Sequence, residues 1–195
     1  MKNNNNTVDK AIDYGPLQQL IGRWEGDKGT DLSPEPEGEK STPYYETLTF
    51  EEAGNVTNAG QQTLAALRYH QVVKRLSDDA VFHDEVGYWM WDADRQTIMH
   101  SLFVPRAVGI LAGGSYSSNP ASTDNVELKV AAKIDDPDWS IVQSPFMRDN
   151  AKTIGFEHQI NVSATALRYK ETTVLDIYGK IFNHTDENTL NRCSH

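Results

Sequence analysis

FHDEVGYWMWDADRQTIMHSLFVPRAVGILAGG, residues 82–114, is the stretch whose reading decides the fold. Val86, Tyr88 and Met90 alternate with Gly87, Trp89 and Trp91, the two-residue period that sends successive side chains to opposite faces of a sheet. Residues 92–96 (DADRQ) are polar and turn-prone, and Ile98, His100, Leu102 and Val104 then resume the alternation until Pro105 interrupts it. The stretch reads as a β-hairpin. Two tryptophans and a histidine on its adjacent strands suggest a sheet that curls around something.

On the N-terminal side, Pro16 stands where the first turn of a helix begins, and Leu17, Leu20 and Ile21 share one helical face. A short amphipathic helical turn is expected there. Gly22-Arg23-Trp24-Glu25-Gly26 follows, and its tryptophan fits either a plug at the end of a tightly curved sheet or a plain core position. Residues 27–43, rich in proline, glycine and charge, are expected to form a long surface loop. In 44–52, Tyr44, Glu46, Leu48 and Phe50 alternate with Tyr45, Thr47 and Thr49, and 61–74 is strand-like, although Ala and Leu leave helix open in 63–70. On the C-terminal side, Val126, Leu128 and Val130 make a strand, and Trp139, Ile141 and Phe146 are expected to open another. In 152–162, His158 occupies a row otherwise made of Ile154, Phe156, Ile160 and Val162. A last long strand covers 167–178, and Gly179 introduces a polar tail. About eight to ten strands, no long helical pattern and no repeat imply an all-β chain, either a closed antiparallel barrel or a sandwich.

The bulk numbers agree with one domain over 11–192, between a disordered Asn-rich tail at 1–10 and a short tail at 193–195. A formal charge of -10 argues against nucleic acid or an anionic membrane as partner, since both would repel the chain. Small ligands suit it better, and a homodimer is compatible with the sequence. Neither a secretory signal nor a run of ~18 apolar residues is read, so the expected location is the cytoplasm. Cys193 is the one cysteine, which excludes an intrachain disulfide and a thiolate cluster.

Gly22-x-Trp24-x-Gly26 after a short helix, Phe50-Glu51-Glu52, His83-x-Glu85-x-Gly87-Tyr88, the interruption at 105–109, and His184 followed by Thr189-Leu190-x-Arg192 together resemble the nitrobindin family. The resemblance covers roughly residues 15–192. It implies a ten-stranded antiparallel β-barrel, similar to lipocalins and fatty-acid-binding proteins, with heme b near its mouth and iron bound through one late histidine. His184 is most similar in position to that ligand. The implied chemistry is ferric heme reacting with nitric oxide or isomerising peroxynitrite to nitrate. Four features depart from the family pattern: a one-residue shift at His184, Met90 and Trp91 in place of a basic residue and an aromatic, two extra residues within 105–109, and an expanded 27–43.

An axial imidazole needs a partner for its other ring nitrogen, and Asp186 or a backbone carbonyl is the expected one for His184. A solvated histidine in a polar tail is the competing reading. His158 and His100 are candidate cofactor-binding residues at the pocket wall, although most such histidines are core residues satisfied by a hydrogen bond. Arg106 is a candidate partner for a heme propionate at the rim, against an ordinary solvated loop arginine. His83 and Glu85 share a strand face and read equally well as a surface pair. Two other classes stay open: a heme-free carrier or sensor of an apolar small molecule, and an enzyme using His100, His158 and Glu85 without metal.

Overall fold

The computed structural model describes residues 11–117 and 125–194; the expected disordered tail at 1–10 lies outside them, as does residue 195. A 3-10 helix at Gly15–Leu20 precedes eleven strands: β1 (Gly22–Glu35), β2 (Gly38–Asn58), β3 (Gln62–Arg75), β4 (Val81–Asp92), β5 (Thr97–Val104), β6 (Val108–Ser115), β7 (Val126–Lys133), β8 (Ile141–Gln143), β9 (Ala151–Val162), β10 (Ala166–Ile177) and β11 (Lys180–Arg192). One short helix, α1 (Pro145–Asn150), sits between β8 and β9. The strand order β5-β4-β3-β2-β1-β11-β10-β9-β7-β6 returns to its start through β5–β6 pairing. Ten antiparallel strands therefore close a barrel, and β8 is a short addition on β6. Closure leaves these ten strands no free edge. Among the described residues no helix is long and apolar enough to cross a membrane.

The interior changes character along the barrel. One end is apolar: Leu17 and Leu20 of the 3-10 helix are fully buried, with Trp24, Leu67, Trp89, Ile98, Leu128 and Leu190 among the most buried residues. Trp24 is both plug and core residue. Its indole Nε1 donates to the Leu20 carbonyl at 2.8 Å, and the Arg192 guanidinium lies 4.1 Å above its ring. Burying an indole of that size contributes roughly 2–3 kcal/mol. Further along each strand the inward positions turn polar: Tyr69 and Gln71 on β3, Tyr169, Glu171 and Thr173 on β10, and Asn188, Asp186 and His184 on β11.

Three expectations are corrected, the first two for one shared reason. Residues 27–43 are not a loop but the paired ends of β1 and β2, in register from Gly29↔Tyr44 to Glu35↔Gly38. Residues 180–192 are not a tail but β11, which lies between β1 and β10. In both, inward side chains are polar: Asp31 and Thr42 are buried in the first, and Asn188 in the second. Apolar alternation, the signal for a half-buried strand, is therefore missing there. Phe146, expected in a strand, lies in the first turn of α1 instead, because Pro145 starts the helix and the Met147 N–H donates to Ser144 Oγ at 3.3 Å. Residues 63–70 are strand. Gly29 is required where it stands, since a Cβ there would collide with the Tyr44 ring that crosses the barrel wall.

Candidate functional site

At the polar end the barrel encloses a cavity of about 340 Å³, within the range of small-ligand sites. One wall is apolar, built by Leu102, Val104, Val108, Ile110, Phe156 and Leu175; the other carries Asp31, Glu85, Glu171 and Asp186, with His83 and His184. Met147 of α1 and Arg106 of the 105–107 turn also line it. Strand register builds the acidic wall. Asp31 pairs with Asp186, Asp186 with Glu171, and Glu171 with His158, so four ionisable side chains form a row across β1, β11, β10 and β9. Directly opposed like charges destabilise neighbouring strands, so such a row persists only with proton uptake or counter-charges.

His184 faces this cavity despite its shift from the family pattern; a one-residue slip would have turned it outward. Its Nε2 lies 2.6 Å from Asp31 Oδ1 and 3.5 Å from Asp186 Oδ2. The orienting partner is thus Asp31, with Asp186 the more distant. Burial disfavours charge on both members, but the bond outweighs it: the Asp31 carboxyl is held below its ordinary range and the His184 imidazole above its own. Asp186, pushed up by burial and by Asp31 and only partly relieved by His184, titrates at about 7.

His83 and Glu85 are not a surface pair. Glu85 is only 2% exposed, 3.5 Å from His83 Nε2. Tyr69 donates its hydroxyl to Glu85 at 2.5 Å and is itself 2.8 Å from His100 Nε2. His100 does not line the cavity; it is fully buried beneath it and stacked on Trp89 at 4.1 Å. Burial, then His158 beside it, holds it neutral. His158 also lies behind the wall, edge-on to Trp89, His100 and Tyr169. Its Nδ1 is 3.3 Å from Glu171 Oε2 without the alignment of a hydrogen bond, and neither ring nitrogen has a hydrogen-bond partner. Burial lowers its pKa to about 4. Arg106 is at the rim, donating to the Phe82 carbonyl at 3.4 Å. Behind the cavity, Glu46 accepts from Gln71 and from Tyr169, each at 2.8 Å, and burial raises it to about 7.

Asp31, Glu46, Tyr69, Tyr169 and Glu171 are the parts that sequence reasoning did not assign to the site. For Glu46, Tyr69, Tyr169 and Glu171 the one local signal is a strand parity shared with apolar inward neighbours, as Glu171 shares it with Leu167 and Leu175; Asp31, beyond the bulge that breaks parity with Trp24, has none.

A heme needs an imidazole lone pair, a flat apolar surface and a cation for its propionates. The donor chemistry fits: Asp31 engages one ring nitrogen of His184 and sets its tautomer, leaving the other as donor. The wall from Leu102 to Leu175 supplies the apolar surface, and Arg106 the cation.

A family model described as the THAP4-like, heme-binding β-barrel domain matches residues 13–192. The crystal structure of Rv2717c from M. tuberculosis superposes with a TM-score of 0.65, covering 92% of this chain and 98% of that one at 20% identity, a likeness of fold. No curated protein matches the sequence.

Proposed function

We propose, from the premise that the chain belongs to the THAP4-like heme-binding β-barrel family, the nitrobindin family its motifs resemble, that its cavity holds heme b through His184. The observation that carries this is the imidazole on the cavity wall, oriented by a buried carboxylate 2.6 Å away. When bound, heme b would supply a ferric iron for nitric-oxide binding or for isomerisation of peroxynitrite to nitrate. The chain's own part is orientation and exclusion. Asp31 holds the ring of His184, the Leu102, Val108, Ile110 and Phe156 surface would keep water from a bound heme, and Arg106 would offer its propionates a cation. His100 stands behind the wall and reaches it through Tyr69, while His158 packs behind Glu171.

The test is a hemin titration of wild type and His184→Ala, followed in the Soret band, with circular dichroism to verify folding. A saturable, stoichiometric shift in wild type that the folded variant lacks is expected. No shift in wild type would overturn the heme reading and favour a carrier of an apolar small molecule, for which the same aliphatic wall is suited. A shift unchanged in the variant would keep heme and remove His184 as its ligand.

A further inference from the structure

The acidic wall exceeds what an axial ligand requires. Among the described residues four carboxyl groups line the cavity, and Arg106 is the one permanent cation that does. His184 is engaged by Asp31 and Asp186, and His83 by Glu85. Glu171 is left over. Its side chain is 14% exposed, it lies on the inward face of β10, and its Oε2 is 3.3 Å from His158 Nδ1. That contact brings no charge, because His158 is buried and neutral. The other groups facing Glu171 are Asp186 from β11, Glu85 across the interior from β4 and Glu46 from β2, with the Tyr69 and Tyr44 hydroxyls beyond. None is a cation. A carboxylate enclosed by three other acids and a neutral imidazole has no counter-charge, and the cheapest relief is a proton.

We infer that Glu171 holds a proton at the cavity wall, so that the site takes neutral ligands directly and anions only together with that proton. The choice of ligand rests on the heme reading above. When Glu171 is neutral, an anion enters without adding to the negative charge of the wall, and the carboxylic acid O–H can donate to it. When Glu171 is ionised, each anion that binds must bring one proton, which goes to the Glu171 carboxylate. Burial and repulsion from Glu85, Asp186 and Glu46 both raise its pKa, which supports proton retention. Nitric oxide carries no charge and escapes the constraint. Peroxynitrite is admitted with one proton, which the Glu171 carboxyl holds.

The experiment measures azide and nitric oxide binding to hemin-loaded protein by absorption from pH 6 to 9, in wild type and Glu171→Gln. Changes at the iron itself affect both probes and cancel in the ratio of their affinities. In wild type the azide-to-nitric-oxide ratio is expected to fall toward about tenfold per pH unit once Glu171 ionises. In Glu171→Gln, which keeps the shape and a donor but cannot ionise, the ratio is expected to stay flat. A flat ratio in wild type, or the same slope in both proteins, would overturn the inference. Failure of hemin to bind overturns the proposed function instead. The proton is then read in the heme-free protein, where wild type should lose thermal stability as pH rises from the ordinary carboxyl value of 4.5 toward the raised folded one, and Glu171→Gln should lose less. Equal losses overturn the inference.

Discussion

Asp31 and His184 illustrate at the residue scale how the tertiary structure converts a weak local signal into a chemical one. His184 sits among Asn, Thr, Asp and Glu, a context that describes solvated chain; its partner lies 153 residues away. The pair carries a pH signature. His184 has a folded pKa raised above its ordinary 6.5, so its contribution is fully present below that value and is lost as pH rises through the folded one. Asp31 has a folded pKa below its ordinary 3.8, so its contribution is present above 3.8 and is lost as pH falls through the folded value. Asp31→Asn should therefore cost about 2 kcal/mol near pH 5.5, the scale of a hydrogen bond between charged groups, and less near pH 9. Urea denaturation of both proteins at the two pH values checks this; a gap that is constant or grows toward pH 9 would contradict it.

At the scale of elements, β11 connects the two ends of the molecule. Its inward side chains run from His184 at the cavity to Leu190 in the apolar end, and Arg192 finishes it with a clasp. That guanidinium donates to the carbonyls of Ala164 at 2.7 Å, Gln19 at 2.6 Å and Ile21, while stacking on Trp24. The 3-10 helix is thereby tied to the last strand. Arg192→Met keeps the aliphatic stem but leaves three carbonyls without their donor, and is expected to lower stability by about 2–3 kcal/mol. Hydrogen exchange should locate the loss at 15–24 and 164–167; a loss spread evenly over the barrel would argue against the clasp. Elements were unequally legible. The β4–β5 hairpin was read correctly because Trp89, Trp91, Ile98 and Leu102 all point inward in an apolar region. The β1–β2 extension and β11 were misread because their inward residues build the polar end of the cavity.

For the whole molecule, closure of ten strands places an acidic interior inside an acidic protein of formal charge -10. Self-repulsion of that size destabilises the compact state and is screened by salt. Raising potassium chloride from 10 to 200 mM at pH 7.5 should increase the Tm by about 2–4 °C, the shift that 1 kcal/mol gives a chain of this length. An unchanged or lower Tm would mean that local ion pairs such as Arg68–Glu51 and Arg75–Asp78 offset the net charge. The same repulsion disfavours anionic ligands at the mouth, so outer surface and inner wall act in one direction.

The sequence by itself determined the all-β class, the N-terminal helical turn and the apolar strand faces, because periodicity and local turn chemistry depend on residues a few positions apart. It also determined that His184 resembles the family's iron ligand, through the order of motifs along the chain. Only the tertiary structure decided that Asp31 holds that imidazole, that Glu85 and Glu171 face inward, and that His100 and His158 stand behind the wall. The physical reason is that strand parity says which residues share a face, while closure and register decide which face is inside and which distant side chains meet across it.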